Sequence, residues 1–206
     1  MSYMRKIITT TMITLDGIMQ APGASKEDAS EGFKYGGWMF GWDEEADNIT
    51  DRIQAAPFDL LFGRRTYEIF AGYWPQHEDE PHWGKPYSKA KKYVVSHKPV
   101  KLSWSNSELI TGDVVAEIKK LKNTDGPDLW VWGSSNLIQT LLKNNLVDRM
   151  HLWTFPITIG TGKKLFAEGT QPENFKLVDG KITSTGIIFA TYEPLNRLQT
   201  NEVSAK

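Results

Sequence analysis

Residues 6–15 (KIITTTMITL) string together β-branched and apolar side chains and end at Asp16-Gly17, a pattern that predicts a strand closed by a turn. The stretch 17–42 loses this rhythm. It is dotted with glycine and aromatic residues (EGFKYGGWMFGW) and is too long for a simple connector, which suggests a functional lid or binding loop. Helical spacing returns at 43–55 (DEEADNITDRIQA), where Ala46, Ile49 and Ile53 recur and acids crowd the first turn, favourable to the helix dipole. Pro57 stops that helix, and FDLLF predicts the next strand. The chain then turns at Gly63 and meets Arg64, Arg65 and Thr66 at what reads as a helix start, before Tyr67, Ile69 and Phe70 resume an apolar pattern. Further strands are expected at 91–96 (KKYVVS), 128–132 (DLWVW) and 149–159 (RMHLWTFPITI), the last bent or at an edge because of Pro156. Asp113 opens a helix with Val114, Ile118 and Leu121 on one face, and Gly133 precedes another with Leu137, Ile138, Leu141 and Leu142. Two alternating runs in FKLVDGKITSTGIIFATYEP read as an antiparallel hairpin. Strands alternating with helices before a closing hairpin imply an α/β fold with a mostly parallel sheet and an antiparallel edge.

At 206 residues the chain suits one sizeable domain, expected over 1–195, with 196–206 as a tail. Charge is balanced, 24 basic residues against 25 acidic, so no global field points to nucleic acid or to an anionic membrane. Without cysteine there is no thiolate nucleophile and no Cys-based zinc or iron–sulfur site, and the four histidines lack metal-ligand spacing, so no metal is expected. The opening apolar patch is broken by threonines and closed by Asp16-Gly17, unlike a signal peptide; a soluble cytoplasmic protein is expected. Eight tryptophans are many. Trp38, Trp42, Trp74, Trp83 and Trp104 fall outside the expected strands, either to pin long loops by burial or to line a pocket for a flat ligand.

Ligands of open α/β sheets sit beyond the carboxyl ends of the strands, where helix N-termini present free N–H groups. Three such ends carry suitable residues: Gly63-Arg64-Arg65-Thr66, Ser96-His97, and Gly133-Ser134-Ser135-Asn136. Small and hydroxyl residues also make ordinary caps. Three on one sheet edge, one with paired arginines whose planar forks match phosphate oxygens, are better explained by a ligand with several phosphates. The first strand is not followed by G-x-G-x-x-G, and IGTGKKLF fails as a P-loop because Ile157 and Lys164 stand where glycine and a hydroxyl are needed.

In order along the chain, TLDG, GRRTYEIFAGYW, KKYVVSH, WVWGSSNLIQTLL, LVDRMHLWTFPITIGTGKKLF and KLVDGK…STGIIFATYE resemble the dihydrofolate reductase-like superfamily. Within it, the likeness is greatest to the reductase domain of bacterial riboflavin biosynthesis and its stand-alone relatives, over roughly residues 5 to 193. The resemblance implies a three-layer α/β/α domain that binds NADPH and reduces a small-molecule substrate, and a homodimer formed through the sheet edge and closing hairpin. It matches Gly63, Arg64, Arg65 and Thr66 to the pyrophosphate and adenosine side, and Ser96 and His97 to the adenine ribose and its 2′-phosphate. Gly133, Ser134, Ser135, Asn136 and Leu137 match the turn beneath the pyrophosphate, and Gly162 a glycine near the nicotinamide. Paired arginines suit NADPH but could serve the pyrophosphate alone. On the catalytic side Trp42 and Asp47 match a tryptophan and an acid five residues on, and Thr154 a threonine that supports the acid. Asp47 flanks the apolar helix face, which suits a cleft acid or a solvated one, with Glu44, Glu45 and Asp51 as neighbours. Asp16 makes the turn with Gly17 or touches substrate; His151 reads as packed, and Lys89–Lys92 as a solvated strand start. Ala90 replaces the arginine that holds the folate tail, and the insertion YWPQHEDEPHWGKP reshapes the substrate side, so folate itself is not expected.

Overall fold

The structure is a computed structural model that describes residues 4–197. Eight strands form one sheet in the order β4-β3-β2-β5-β1-β6-β8-β7. The strands are β1 (Ile7–Thr14), β2 (Phe58–Gly63), β3 (Lys92–Val95), β4 (Ser107–Ile110), β5 (Asp128–Trp132), β6 (Arg149–Phe155), β7 (Glu173–Ile182) and β8 (Ile188–Arg197). Pairing is parallel from β4 to β6, and antiparallel at β6–β8 and β7–β8. Helices α1 (Glu44–Ile53), α2 (Arg64–Tyr73), α3 (Gly84–Lys89), α4 (Val114–Lys122) and α5 (Ser135–Lys143) cover the two faces.

Side-chain alternation divides the core. Ile7, Leu61, Leu129, Val131, Met150 and Leu152 pack with Ile118 of α4 and Leu137, Ile138 and Leu141 of α5. On the other face Leu60, Phe62, Trp130 and Trp132 meet Tyr67 of α2 and Tyr87 of α3, while Trp153 and Phe155 meet Ala46 and Ile49 of α1. The fold is the expected three-layer α/β/α arrangement with a closing hairpin.

Several details differ from the sequence reading. Strand β6 stops at Phe155, since Pro156 has no N–H for the ladder, and the following segment loops out. Strand β4 (SELI) and helix α3 (GKPYSK) are too short, and too weakly patterned, to show a period. Strand β8 takes in Asn196 and Arg197; the rest of the expected tail lies outside the described residues. Lys92, expected to be solvated, is fully buried: its ammonium donates to Ser88 O at 2.9 Å and lies 4.3 Å from the Trp104 ring centroid. Burial lowers its pKa to about 8. Among the described residues no helix is long and apolar enough to cross a membrane.

Candidate functional site

Strands β2 and β5 are neighbours, so the helices that leave their carboxyl ends, α2 and α5, start side by side. The Gly63 N–H donates to Ser134 Oγ at 3.0 Å, and a Cβ added to Gly133 would lie 3.6 Å from Thr66 Cγ2. Gly133 and Ser134 have φ of +54° and +57°; glycine at the first avoids the cost of two successive left-handed side-chain-bearing residues. Gly63 has an ordinary φ of −73° and leaves room for a Cβ at van der Waals range, so what its turn supplies is backbone N–H direction rather than unusual geometry.

The starts of the four longer helices fall into two kinds. Helix α1 is capped by Asp43, which accepts from the Ala46 N–H, and has Glu44, Glu45 and Asp47 in its first turn. Helix α4 is capped by Asp113 from the Ala116 N–H and has Glu117 in its first turn. Helices α2 and α5 have neither a side-chain cap nor an early acid. Ser134 does not cap α5, because its hydroxyl is turned to Gly63. Two adjacent positive helix ends without an internal anion, beside Arg64 and Arg65, form a site suited to an anionic ligand.

Around this centre the expected residues divide. Arg64 pairs with Glu68 one turn on, at 2.8 Å, and Arg65 reaches Asp28 of the long loop at 2.7 Å. Ser96, at the end of β3, is buried; its hydroxyl donates to Lys98 O and accepts from the Lys98 N–H, closing a turn that leaves His97 exposed. Ser135 is half-buried and Asn136 exposed in the first turn of α5. Leu137 buries its side chain in the core, so only its backbone can serve a ligand. Gly162 has φ of +121°, and a Cβ there would come within 2.8 Å of Phe33 and 3.0 Å of Ile18, which keeps the loop after β6 against the long loop.

On the other side of β1, Trp42 Nε1 donates to Asp47 Oδ1 at 2.8 Å. The Trp42 ring packs on Trp153 (4.6 Å between centroids) and Trp83 (5.3 Å), and Trp83 on Trp132 (5.1 Å). The buried Nε1 atoms of Trp132 and Trp153 have no hydrogen-bond partner. Thr154 does not join this group. Trp153 faces α1, and successive residues of a strand face opposite ways, so Thr154 points to the α4–α5 side and Trp153 is the β6 residue that packs on Trp42. The 73–86 insertion does reach the cluster through Trp83, and its His82 Nδ1 lies 2.8 Å from Asp51 Oδ1 on α1. Asp16 is occupied: Thr14 and the N–H groups of Ile159 and Gly160 donate to it, and the Thr14 bond holds its carboxyl below the ordinary value. His151 is packed as expected, its Nδ1 2.9 Å from Thr191 Oγ1, and burial pushes the imidazole down to about 4. Among the described residues no cluster could hold a metal ion. Sequence reasoning missed Asp28 and Lys163 at the anionic side and Trp132 and Trp153 at the aromatic side. Lys163 lay inside the rejected P-loop pattern and the LVDRMHLWTFPITIGTGKKLF segment, with no role attached to it.

Residues 5–189 match the RibD C-terminal domain. The chain belongs to this family. It is similar to two Bacillus subtilis (strain 168) proteins, the uncharacterized YyaP (29% identical, 91% of this chain and 94% of YyaP) and YwjB (24% identical, 84% and 89%). Among solved structures it resembles a protein assigned to riboflavin biosynthesis from Shewanella sp. PV-4, with TM-score 0.63 and 22% identity over 93% of this chain and 99% of that chain. It also resembles an Enterococcus faecalis dihydrofolate reductase solved with NADP(H), with TM-score 0.60 and 12% identity over 94% and 99%. A pyrimidine reductase-like protein from Corynebacterium diphtheriae gives TM-score 0.59 and 13% identity over 93% and 92%. The fold of this RibD C-terminal family member is therefore dihydrofolate reductase-like, a reductase-type scaffold.

Proposed function

We propose that the chain is an NADPH-dependent reductase acting on a C=N or C=O bond of a small heterocyclic or carbonyl substrate. The reading is carried by the paired, uncapped starts of α2 and α5 with Arg64 and Arg65 beside them. With the Gly63 N–H held by Ser134 Oγ, the backbone N–H groups of Arg64–Thr66 and of the Gly133–Leu137 turn would hold the pyrophosphate, and Arg64, Ser96 and His97 the adenosine side with its 2′-phosphate. When bound, NADPH supplies the hydride. The chain's own part is to orient the substrate against the indoles of Trp42 and Trp83 and to exclude water with the 17–42 loop. Asp47, fixed by the Trp42 indole, would hold a proton or a hydrogen bond at the substrate atom next to the hydride acceptor. Ala90, buried, stands where folate reductases carry the tail-binding arginine, so dihydrofolate is not the expected substrate.

The test is thermal unfolding with saturating NADPH and, separately, NADH. Ligand at about a hundred times its dissociation constant stabilises by about 2.7 kcal/mol. The reading expects a clear shift with NADPH and a smaller one with NADH; no shift with either would remove it. The mutual packing of the indoles beside Asp47 favours a second reading, a nucleotide-binding protein of this fold without reductase activity. That reading expects NADPH binding but no NADPH oxidation with any carbonyl or heterocyclic substrate, whereas the reductase reading expects oxidation that Asp47→Asn slows.

A homodimer is proposed as well. The edge strand β7 is ten residues long and exposes Leu177, Val178 and Ile182, with Ile188 and Leu195 exposed on β8, a surface prone to pair with a second copy. Light scattering should give twice the chain mass, falling to one with Leu177→Glu/Ile182→Glu.

A further inference from the structure

Arg65 and Lys163 come from opposite banks of the strand-end crevice. Arg65 follows β2 and Lys163 follows β6; β5 and β1 lie between them, so the two strands are about 14 Å apart at ordinary strand spacing. Both side chains nonetheless meet on one carboxylate. Arg65 Nη2 is 2.7 Å from Asp28 Oδ1, and Lys163 Nζ is 2.6 Å from Asp28 Oδ2. Ser30 adds its N–H at 3.0 Å and its hydroxyl at 2.6 Å to Oδ1, and Lys163 Nζ also reaches Ser30 Oγ at 2.8 Å. The Asp28 side chain is only 12% exposed, although it sits on a long loop.

The seat is built rather than incidental. Lys163 is fixed by main-chain bonds, its carbonyl accepting from the Met19 N–H and its own N–H donating to Gln20 Oε1. Gln20 Nε2 in turn donates to the carbonyls of Asp28 and Ser30 at 3.1 Å each. An anionic oxygen pair that receives a guanidinium, an ammonium and a hydroxyl has the donor shell of a bound phosphate. The arginine half of this shell lies at the uncapped start of α2, where the proposed cofactor's phosphates belong.

We propose that Arg65 and Lys163 form a two-cation seat for a phosphate of the dinucleotide, and that the Asp28 carboxylate occupies this seat in the free protein and gives it up on binding. The inference rests on the dinucleotide reading above and adds Lys163 as a ligand-binding residue and Asp28 as a competitor. A mere loop anchor and a competitor predict opposite signs for the removal of Asp28. Loss of an anchor loosens the loop and weakens binding, or leaves it unchanged; loss of a competitor tightens it.

The experiment is calorimetric titration of the full chain with NADPH and, separately, with inorganic pyrophosphate. The variants are Asp28→Asn, Lys163→Met, Arg65→Met and the control Glu31→Gln, which removes an exposed charge from the same loop. Asp28→Asn should bind both probes about three- to tenfold tighter, the scale of one or two partly exposed ion pairs that no longer have to be broken. Lys163→Met and Arg65→Met should each bind more weakly, and Glu31→Gln should match the wild type. If NADPH binds the wild type and Asp28→Asn binds it no tighter, or if Glu31→Gln tightens binding equally, the competition is refuted while the cofactor site stands. Unchanged affinity in Lys163→Met refutes the two-cation seat. Absence of NADPH binding by both wild type and Asp28→Asn overturns the cofactor reading and this inference together.

Discussion

The two edges of the parallel sheet are finished in opposite ways. At the amino-terminal edge the charges are closed on each other. Arg5, 1% exposed, pairs with Asp59 at 2.5 Å and donates to Pro127 O, and Lys122 pairs with Asp148, which also accepts the Ile7 N–H. These bonds tie the entrances of β1, β2, β5 and β6 together. At the carboxyl edge Arg64 and Arg65 are about half exposed, the starts of α2 and α5 lack an internal anion, and the partly buried carboxylate that meets Arg65 and Lys163 is brought in by the loop. The first edge is satisfied by residues that stay put; the second is left for something to be added. The same residue types make a scaffold at one end and a candidate site at the other, and burial with permanent partners decides which.

The largest effect that could break this contrast is at the closed edge. Arg5→Met leaves Asp59 buried without its cation and should cost about 3–5 kcal/mol in urea unfolding, while NADPH affinity of the folded fraction stays unchanged. A parallel loss of affinity would mean the edges are not separate. Next, Arg64→Ala/Arg65→Ala should lower NADPH affinity at least about a hundredfold with stability changed by less than about 0.5 kcal/mol, measured by calorimetry and melting. Unchanged affinity would remove the core of the site.

A pH series sharpens the division. His151 lies in the scaffold with its imidazole at about 4, against 6.5 in a free chain, because burial, and then Arg149, disfavour its charge. The unfolded chain therefore takes up a proton that the folded chain refuses between these values. Stability should fall as pH drops from 6.5 towards 4, by about 2–3 kcal/mol from this residue, and level off below. His151→Gln should flatten that slope in melts without altering NADPH affinity. The smallest effect tests the open helix ends: Ser135→Asp places an acid in the first turn of α5 and should stabilise by about 0.3–1 kcal/mol. The same change should weaken NADPH binding tenfold or more, by setting like charges together. A gain in stability with no loss of affinity would show that the α5 start is not where the phosphates sit.

Much of this was legible along the chain because it is local. Alternation and helical spacing set the long elements, and Gly133 and Gly162 marked turns whose positive φ only glycine adopts easily. Strand β4 and helix α3 were not legible, because four to six half-exposed residues do not complete a recognisable period. The glycine-and-arginine turn at 63–66 and the turn at 133–136 could be nominated separately, but their adjacency depends on β2 pairing with β5, some seventy residues away. Facing was harder still. Thr154 and Trp153 are neighbours in sequence, yet the pleat sends them to opposite layers, and the packing of α1 against Trp153 decides which layer holds the acid. Lys92 looked solvated in a run of lysines until β3 entered the sheet interior and Trp104 closed over it.

By itself, then, the sequence determined the order of the longer elements, the α/β class and the presence of phosphate-suited turns, because these follow from residue-by-residue backbone preference and periodic burial. Only the tertiary structure decided that Asp28 should meet Arg65 and Lys163, that Trp153 and Trp83 should pack around the Trp42 that holds Asp47, and that the closed charges should lie at one edge and the open ones at the other. Those outcomes depend on which distant strands become neighbours and on which cations lose their water, and neither is written in any local stretch of the chain.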